Sequence, residues 1–232
     1  KIKSYLSDFI VTINHEMVNY FPQKKAQQLI PIGIDTGYYS PKDFKKRPSN
    51  KFQIVSVANL VEVKGIEVLI EAVELLNDDE LEVKVVGDTR SDYAQNLIQS
   101  IKERGLQRQI KFLGKKNDVR PYLVGSDLYI IPTLNKGRKE GMPMALVEAM
   151  CMATPVLGSD ISGINYVLKD FSELLFEAAN ANRLAGKING VKEKTEKERE
   201  VLGEELRAYC VENFTIKKFI DEHITLYQKL VN

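Results

Sequence analysis

The chain predicts an α/β fold, a parallel sheet with helices on both of its faces. Three observations carry that reading. Its 232 residues are 44% hydrophobic, enough to build one large domain around a substantial core. From residue 52 to residue 157, short β-branched segments alternate with stretches whose apolar residues recur at helical spacing. Small or polar residues close the strand segments, at Ala58-Asn59, Gly87-Asp88, Gly114-Lys115, Thr133 to Glu140 and Ser159 to Gly163. Strands that alternate with helices pair in parallel through right-handed crossovers, and ligands of such sheets sit beyond the strands' carboxyl ends. Those five turns are therefore expected along one edge.

The elements follow in order. Residues 8–13 read as a buried strand, followed by a short helical stretch before Pro22, and residues 29–33 as a second extended piece. Asp35-Thr36-Gly37 and Pro41 mark a turn, and the basic run 42–51 reads as a linker with a solvated face. Strands are expected at 52–57, 81–86, 110–113, 128–131 and 156–157. Helices are expected at 65–76, with Ile66, Leu69, Ile70, Val73 and Leu76 on one face, at 92–104, at 119–125 and after Pro143. Residues 178–190 look helical, the dense mixed charge of 192–206 reads as a solvated helix, and 214–230 gives a last amphipathic helix.

Composition excludes several classes of function. Lys and Arg total 33 against 32 Asp and Glu, a net charge of +1 that gives nucleic acid no electrostatic footprint. No segment approaches the apolar run needed to cross a membrane. Cys151 and Cys210 lie at no metal-ligand spacing, which suggests a reduced, cytoplasmic setting without structural disulfides or zinc. With His15 and His223 the only histidines, His-dependent nucleophilic catalysis has little material. The chain starts at Lys1 with an apolar run already in progress by Phe9, and it is read as missing its upstream half.

The stretch EGMPMALVEAMCMATPVLGSDISG, Glu140 to Gly163, orders a turn, a helix, a turn, a strand and a second turn. Pro143 suits a first helical position, where its missing N–H is no loss. The amides of Met144, Ala145 and Leu146 would then lack intrahelical acceptors and, with the helix dipole, favour a phosphate. Glu148, a turn deeper, would meet hydroxyl groups, and Glu140 would lie near whatever is attached beyond the phosphate. That order suits a sugar–diphosphate–nucleoside. On spacing alone, an ordinary capped helix with two solvated glutamates fits equally well.

Taken together, the motifs resemble the C-terminal half of a GT-B fold glycosyltransferase of the retaining family 4 (group 1) type. VANLVEVKGIEVLIEAVELL is similar to the family's first strand, phosphate loop and helix, KFLGKKNDVRPYLVGSDLYIIPT to its middle strands, and EGMPMALVEAMCMATPVLGSD to its paired-glutamate signature. IPIGIDTGYYSP resembles the interdomain linker, and SDFIVTIN the last strand of the N-terminal domain. The resemblance implies four regions. Residues 1–30 would be a remnant of the N-terminal domain, 31–50 the linker, 51–210 a Rossmann-like nucleotide-sugar-binding domain, and 211–232 a helix returning to the missing domain. That helix and the strand near Phe9 would leave apolar surface exposed, from which self-association of the fragment is expected.

The same resemblance implies residue roles. Lys64 would hold the donor's diphosphate and stabilise it as it leaves, and Glu140 would lie by the transferred sugar; these two are the catalytic candidates. Glu148 would accept from the ribose hydroxyls. Backbone at Gly141, Met142, Pro143, Met144 and Leu146 would line the sugar and phosphate pocket, and Gly87, Gly114 and Lys115 would border the nucleoside. Asn59 stands where the family usually has an arginine, leaving Lys64 one cation short. Pro143, Ala153 and Ser162 replace more usual glycines, Tyr166 a more usual glutamate, and residues 135–139 lengthen the loop before Glu140. The implied activity is transfer from a UDP- or GDP-sugar to a hydroxyl of a glycan or lipid-linked acceptor, with retention and without cofactor or metal. The site is expected to be cytoplasmic, with peripheral contact at the inner face of a membrane allowed, and the fragment alone inactive. A non-catalytic nucleotide-sugar-binding module with the same fold is the alternative. A dinucleotide oxidoreductase is disfavoured, because no G-x-G-x-x-G follows the first strand of the alternating region.

Overall fold

Six parallel strands form the centre of the computed structural model, which describes residues 7–24, 26–45, 48–137 and 140–231. They are β3 (Phe52–Val57), β4 (Leu81–Val86), β5 (Ile110–Phe112), β6 (Leu128–Ile131), β7 (Val156–Ser159) and β8 (Leu175–Phe176), in the order β5-β4-β3-β6-β7-β8. A separate two-stranded parallel ribbon pairs β1 (Ile10–Thr12) with β2 (Gln27–Leu29) around the one-turn helix α1 (His15–Val18). The helices of the main body are α2 (Ile66–Leu76), α3 (Asp92–Glu103), α4 (Arg120–Val124), α5 (Met144–Cys151), α6 (Ile164–Val167), α7 (Ala181–Lys192), α8 (Glu196–Asn213) and α9 (Ile216–Val231).

The central strands are mainly apolar because helices cover both faces, as expected of a parallel sheet, although β3 carries Gln53 and Ser56 and β4 carries Glu82 and Lys84. Ile54, Val55, Val83, Val85, Leu128 and Ile130 are fully buried. β3 pairs with β4 in register from Phe52↔Leu81 to Val57↔Val86, and with β6 at Ile54↔Leu128. From β3 the chain winds outward to β5, then returns to β6 and winds the other way to β8. The order of winding reverses between β3 and β6, so a crevice opens beyond their carboxyl ends.

Local chemistry sets several boundaries. The Ser91 hydroxyl accepts from the Ala94 amide at the start of α3, and Thr195 and Glu198 form a reciprocal capping box that starts the charge-rich α8. Pro143 departs from the sequence reading. It is the residue before the helix, with ψ of 89°, and Met144 is the first helical residue. The free amides shift accordingly. Leu146 donates to the Pro143 carbonyl at 3.0 Å, so of the three amides expected to be free, Met144 and Ala145 alone have no backbone acceptor among the described residues.

The cysteines require a correction. Cys151 ends α5, Cys210 lies in α8, and the two form a disulfide between fully buried residues. Packing of α8 along α5 brings their Cα atoms to 5.9 Å, within the span of a bridge, which a sequence separation of 59 concealed. The extended piece expected at 29–33 pairs earlier, at Gln27–Leu29, and the last helix begins at Ile216, because Phe214 is a buried link rather than a helical residue. Ile34 bridges to Thr215 there, tying the stretch after β2 to the start of α9. On α9 itself Ile216, Ile220, Ile224 and Tyr227 are each about half exposed, while Leu226 is buried. Among the described residues no helix is long and apolar enough to cross a membrane. Residues 1–6, 46–47 and 138–139 lie outside the described residues, and with them parts of the expected remnant, linker and lengthened loop.

Candidate functional site

A cleft of about 500 Å³ occupies the crevice where the winding reverses. The ends of β3 (Ser56 to Asn59), β4 (Val86 to Asp88) and β6 (Ile131 to Thr133) form its floor, and Met142 to Ala145 at the start of α5 form one wall. Lys64, Lys115 and Lys116 bring positive charge to it, and Asp88 and Glu140 negative charge. Asp88 accepts from Arg90 through both carboxylate oxygens, and this pairing holds its carboxyl down at about 2.

Lys64 is aimed by the turn that carries it. Residues Glu62–Lys64 make one 3₁₀ turn, and Gly65 reverses the chain into α2 at φ 64°, ψ 29°. Across the cleft the Lys64 ammonium pairs with the Glu140 carboxylate, to which the Thr133 hydroxyl also donates at 3.3 Å. Leu134 donates to the Val63 carbonyl at 2.8 Å, and Lys136 pairs with Glu62 at 2.5 Å. The loop after β6 and the Lys64 turn are thus stitched together.

The turn holding Glu140 is supported from two sides. Gly163 abuts it so closely that a Cβ there would meet the Glu140 carbonyl at 2.7 Å. From the β1–β2 ribbon, the Asn14 side chain donates to the Gly141 carbonyl at 2.5 Å, and the Ile32 amide donates to the Met142 sulfur at 3.0 Å. Asn14 is fully buried and also caps α1, accepting from Met17 at 2.9 Å.

The structure distributes the sequence candidates unevenly. Asn59, Lys64, Gly87, Lys115, Glu140, Met142, Pro143 and Met144 line the cleft. Gly114 stands behind it, its carbonyl accepting from the Gly87 amide at 3.3 Å. Gly141 is turned toward Ile13, and Leu146 is fully buried in the core with its amide already engaged. Glu148 lies outside the lining. It follows Met144 by four residues and Ala145 by three, so it continues their face of α5 one turn farther on. There it is half-buried. Burial raises the Glu148 carboxyl above its ordinary range, and the nearby Tyr39 phenol opposes that rise. Asn14 and Tyr39 are the residues that sequence reasoning missed. Asn14 shows only as a cap before a short helix, and Tyr39 as one aromatic in a turn.

Among the described residues no cluster of His, Cys, Asp and Glu is arranged to hold a metal ion. The surroundings offered to a ligand are two backbone amides, lysines and one acid facing Lys64, which suit an anion with a polar attachment.

The chain is similar to known glycosyltransferases in sequence and in fold. The chain is 36% identical over 118 residues to the amylovoran biosynthesis glycosyltransferase AmsK of Erwinia amylovora, covering 48% of the chain and 28% of that protein. It is 31% identical over 137 residues to the capsular polysaccharide biosynthesis glycosyltransferase CapH of Staphylococcus aureus, covering 56% and 37%. The chain thus spans well under half the length of these curated relatives. Anabaena HepE, solved in complex with UDP, superposes with a TM-score of 0.85 at 21% identity, covering 96% of this chain and 64% of that one. A Rickettsia africae glycosyltransferase superposes at 0.87 with 20% identity, covering 97% and 64%. At such identities the likeness is one of fold, and the fold is the Rossmann-like half of a GT-B enzyme. Residues 40–227 match the sequence profile of the glycosyl transferases group 1, most of the chain's length, and the chain belongs to that family.

Proposed function

We propose that the whole protein is a retaining family 4 glycosyltransferase and that this chain supplies its donor side. It would transfer a hexose-type sugar from a UDP- or GDP-sugar to a hydroxyl of a glycan or lipid-linked acceptor, in surface polysaccharide synthesis at the cytoplasmic side of a membrane. One observation carries the reading. Lys64 and Glu140 face each other across the crevice beside the free amides of Met144 and Ala145. Donor solved-structure neighbours support the class of ligand, since HepE has been solved with UDP and with UDP-glucose.

Charge bookkeeping gives the roles. As the sugar–phosphate bond breaks, negative charge grows on the departing diphosphate, and a fixed cation with two amides lowers the energy of that state more than of the intact donor. A bound diphosphate competes with Glu140 for Lys64. The displaced carboxylate is left to the sugar hydroxyls and to the positive charge developing at the anomeric carbon. This reading assigns the diphosphate to Lys64 and the amides, with no bound metal. Residues 31–50 act as linker, and the exposed stripe of α9 is covered by the acceptor-side domain or, in the fragment, by self-association. One observation favours the binding-module alternative: Asn59 is a neutral side chain at the cleft.

Two measurements test the proposal. In a thermal-shift comparison of UDP, GDP and their sugar conjugates, one nucleotide series raises the melting temperature, because it binds only the native state. Glu140→Ala and Glu148→Ala in the whole protein abolish turnover; a wild type without turnover that still binds nucleotide identifies the binding module. Nucleotide affinity carries a pH signature as well. The raised Glu148 carboxyl protonates on acidification before an ordinary glutamate would, and its neutral form is the poorer acceptor. Affinity should thus fall by about 10- to 100-fold as pH drops through that raised value. Glu148→Gln should flatten this acid limb, and an unchanged limb in that variant would remove Glu148 from nucleotide recognition.

A further inference from the structure

Both ends of the Asn14 side chain are engaged, and the partners fix which end is which. One end accepts from the Met17 amide at 2.9 Å and is therefore the oxygen. The other is the nitrogen, which donates to the Gly141 carbonyl at 2.5 Å. Stability alone asks only that a fully buried amide find two such partners. The place of the second bond asks for more, because Gly141 lies between Glu140 and Met142, two residues of the cleft.

That carbonyl is confined. Besides Asn14, Gly163 stands so near that an added Cβ would come within 2.8 Å of the same oxygen. Asn14 in turn is held by contacts that do not involve Gly141. Thr12, two residues earlier, pairs with Leu29, and its carbonyl accepts from the Ile30 amide at 2.8 Å. His15, the next residue, rests against the Tyr166 ring at 5.5 Å, in the helix that begins just after Gly163.

The Gly141–Met142 peptide is trans, and a trans peptide is planar with its C=O and N–H on opposite sides. A Gly141 carbonyl turned toward the ribbon therefore turns the Met142 N–H away from it. Met142 lines the cleft, whereas Ile13 and Asn14 do not. The Met142 side chain is buried and held on the ribbon side, where its sulfur accepts from the Ile32 amide at 3.0 Å. Its backbone is what remains for the cleft, and its amide has no acceptor among the described residues.

We propose that Asn14 is a positioning residue for donor binding. By holding the Gly141 carbonyl it turns the Met142 amide into the cleft, adding a third N–H to those of Met144 and Ala145 for an acceptor oxygen beyond the donor's α-phosphate. The inference rests on the reading of this cleft as the site of a nucleotide-sugar. Such an oxygen belongs to the β-phosphate or to the attached sugar, and the nucleotides chosen below tell the two apart. Without Asn14 the peptide is free to rotate and present its carbonyl instead, which offers that oxygen no proton.

The test measures calorimetric affinities of the whole protein for UMP, UDP and UDP-glucose, with GMP, GDP and GDP-mannose in parallel. Wild type is compared with Asn14→Ser and Asn14→Ala. Serine caps a helix about as well as asparagine but is too short to reach the Gly141 carbonyl, whereas alanine loses both bonds. The expected result is a roughly tenfold loss of affinity in both variants with monophosphate binding unchanged. The loss appears with the diphosphate if the oxygen is the phosphate's, and only with the sugar conjugate if it is the sugar's. Asn14→Ala should melt below Asn14→Ser, because it alone lacks the cap. An Asn14→Ser protein with wild-type affinity for all the nucleotides would reduce Asn14 to a cap and overturn the proposal. Equal weakening of monophosphate, diphosphate and conjugate, the mark of a loosened domain, would overturn it too. A wild type that binds the monophosphate as tightly as the other two in both series would sink the donor-site reading itself, and the role of Asn14 with it.

Discussion

Replacing Lys64 by alanine in the whole protein should lower sugar turnover by about 10²- to 10³-fold, the usual effect of removing one fixed group that stabilises transition-state charge. Most of the loss should fall in kcat, since the diphosphate carries more charge as a leaving group than within the donor. Asn59 makes the expectation sharper. It offers no second cation at the end of β3, and the other lysines of the cleft, Lys115 and Lys116, approach from the β5 side. Lys64→Arg keeps the charge but not the compact head that meets Glu140, and it should recover only part of the rate. Steady-state turnover with calorimetric UDP affinity checks this. A Lys64→Ala enzyme within a factor of two of wild type would remove Lys64 from the chemistry.

Gly65→Ala should be among the most destabilising single changes in the chain. The residue has φ 64°, and an added Cβ would lie 2.1 Å from the Pro132 carbonyl oxygen and 3.1 Å from the Leu134 side chain. The left-handed backbone costs an alanine about 1–2 kcal/mol, and forcing atoms into a filled space about 1–3 kcal/mol more. A loss of roughly 2–5 kcal/mol is a large part of the stability of an ordinary domain. Because Lys64 immediately precedes this residue, any backbone shift that relieves the clash also moves the ammonium. Denaturant melting should show the loss of stability, and nucleotide affinity should fall with it. A variant that melts like wild type would mean that the β6 exit yields easily.

How much was legible follows from which residues carried the signal. β3, β4 and β6 could be read directly because the strands of a covered parallel sheet bury apolar residues on both faces, as Ile54, Val83 and Ile130 do. β8 was passed over, because Leu175-Phe176 is too short a segment to show periodicity beside Glu173 and Glu177. Lys64 and Glu140 were marked by their neighbours, a glycine after one and a Gly-Met-Pro turn after the other. Pro143 was misplaced by one position, since a proline suits either side of a helix start, and that shift removed the Leu146 amide from the free set. The Asn14 contact to Gly141 joins residues 127 apart, and no local pattern encodes it. The disulfide was hidden for the same reason. Each depends on which helix lies beside which segment, a property of the packed chain.

Asn14 has a wider consequence. The Asn14 amide, with the Ile32 contact beside it, couples the small ribbon mechanically to the wall of the cleft, so displacing the ribbon tugs on the peptide beside Glu140. Whatever cargo stiffens that wall must narrow the ribbon's range of positions, and by reciprocity a clamp on the ribbon must tighten the grip on the cargo.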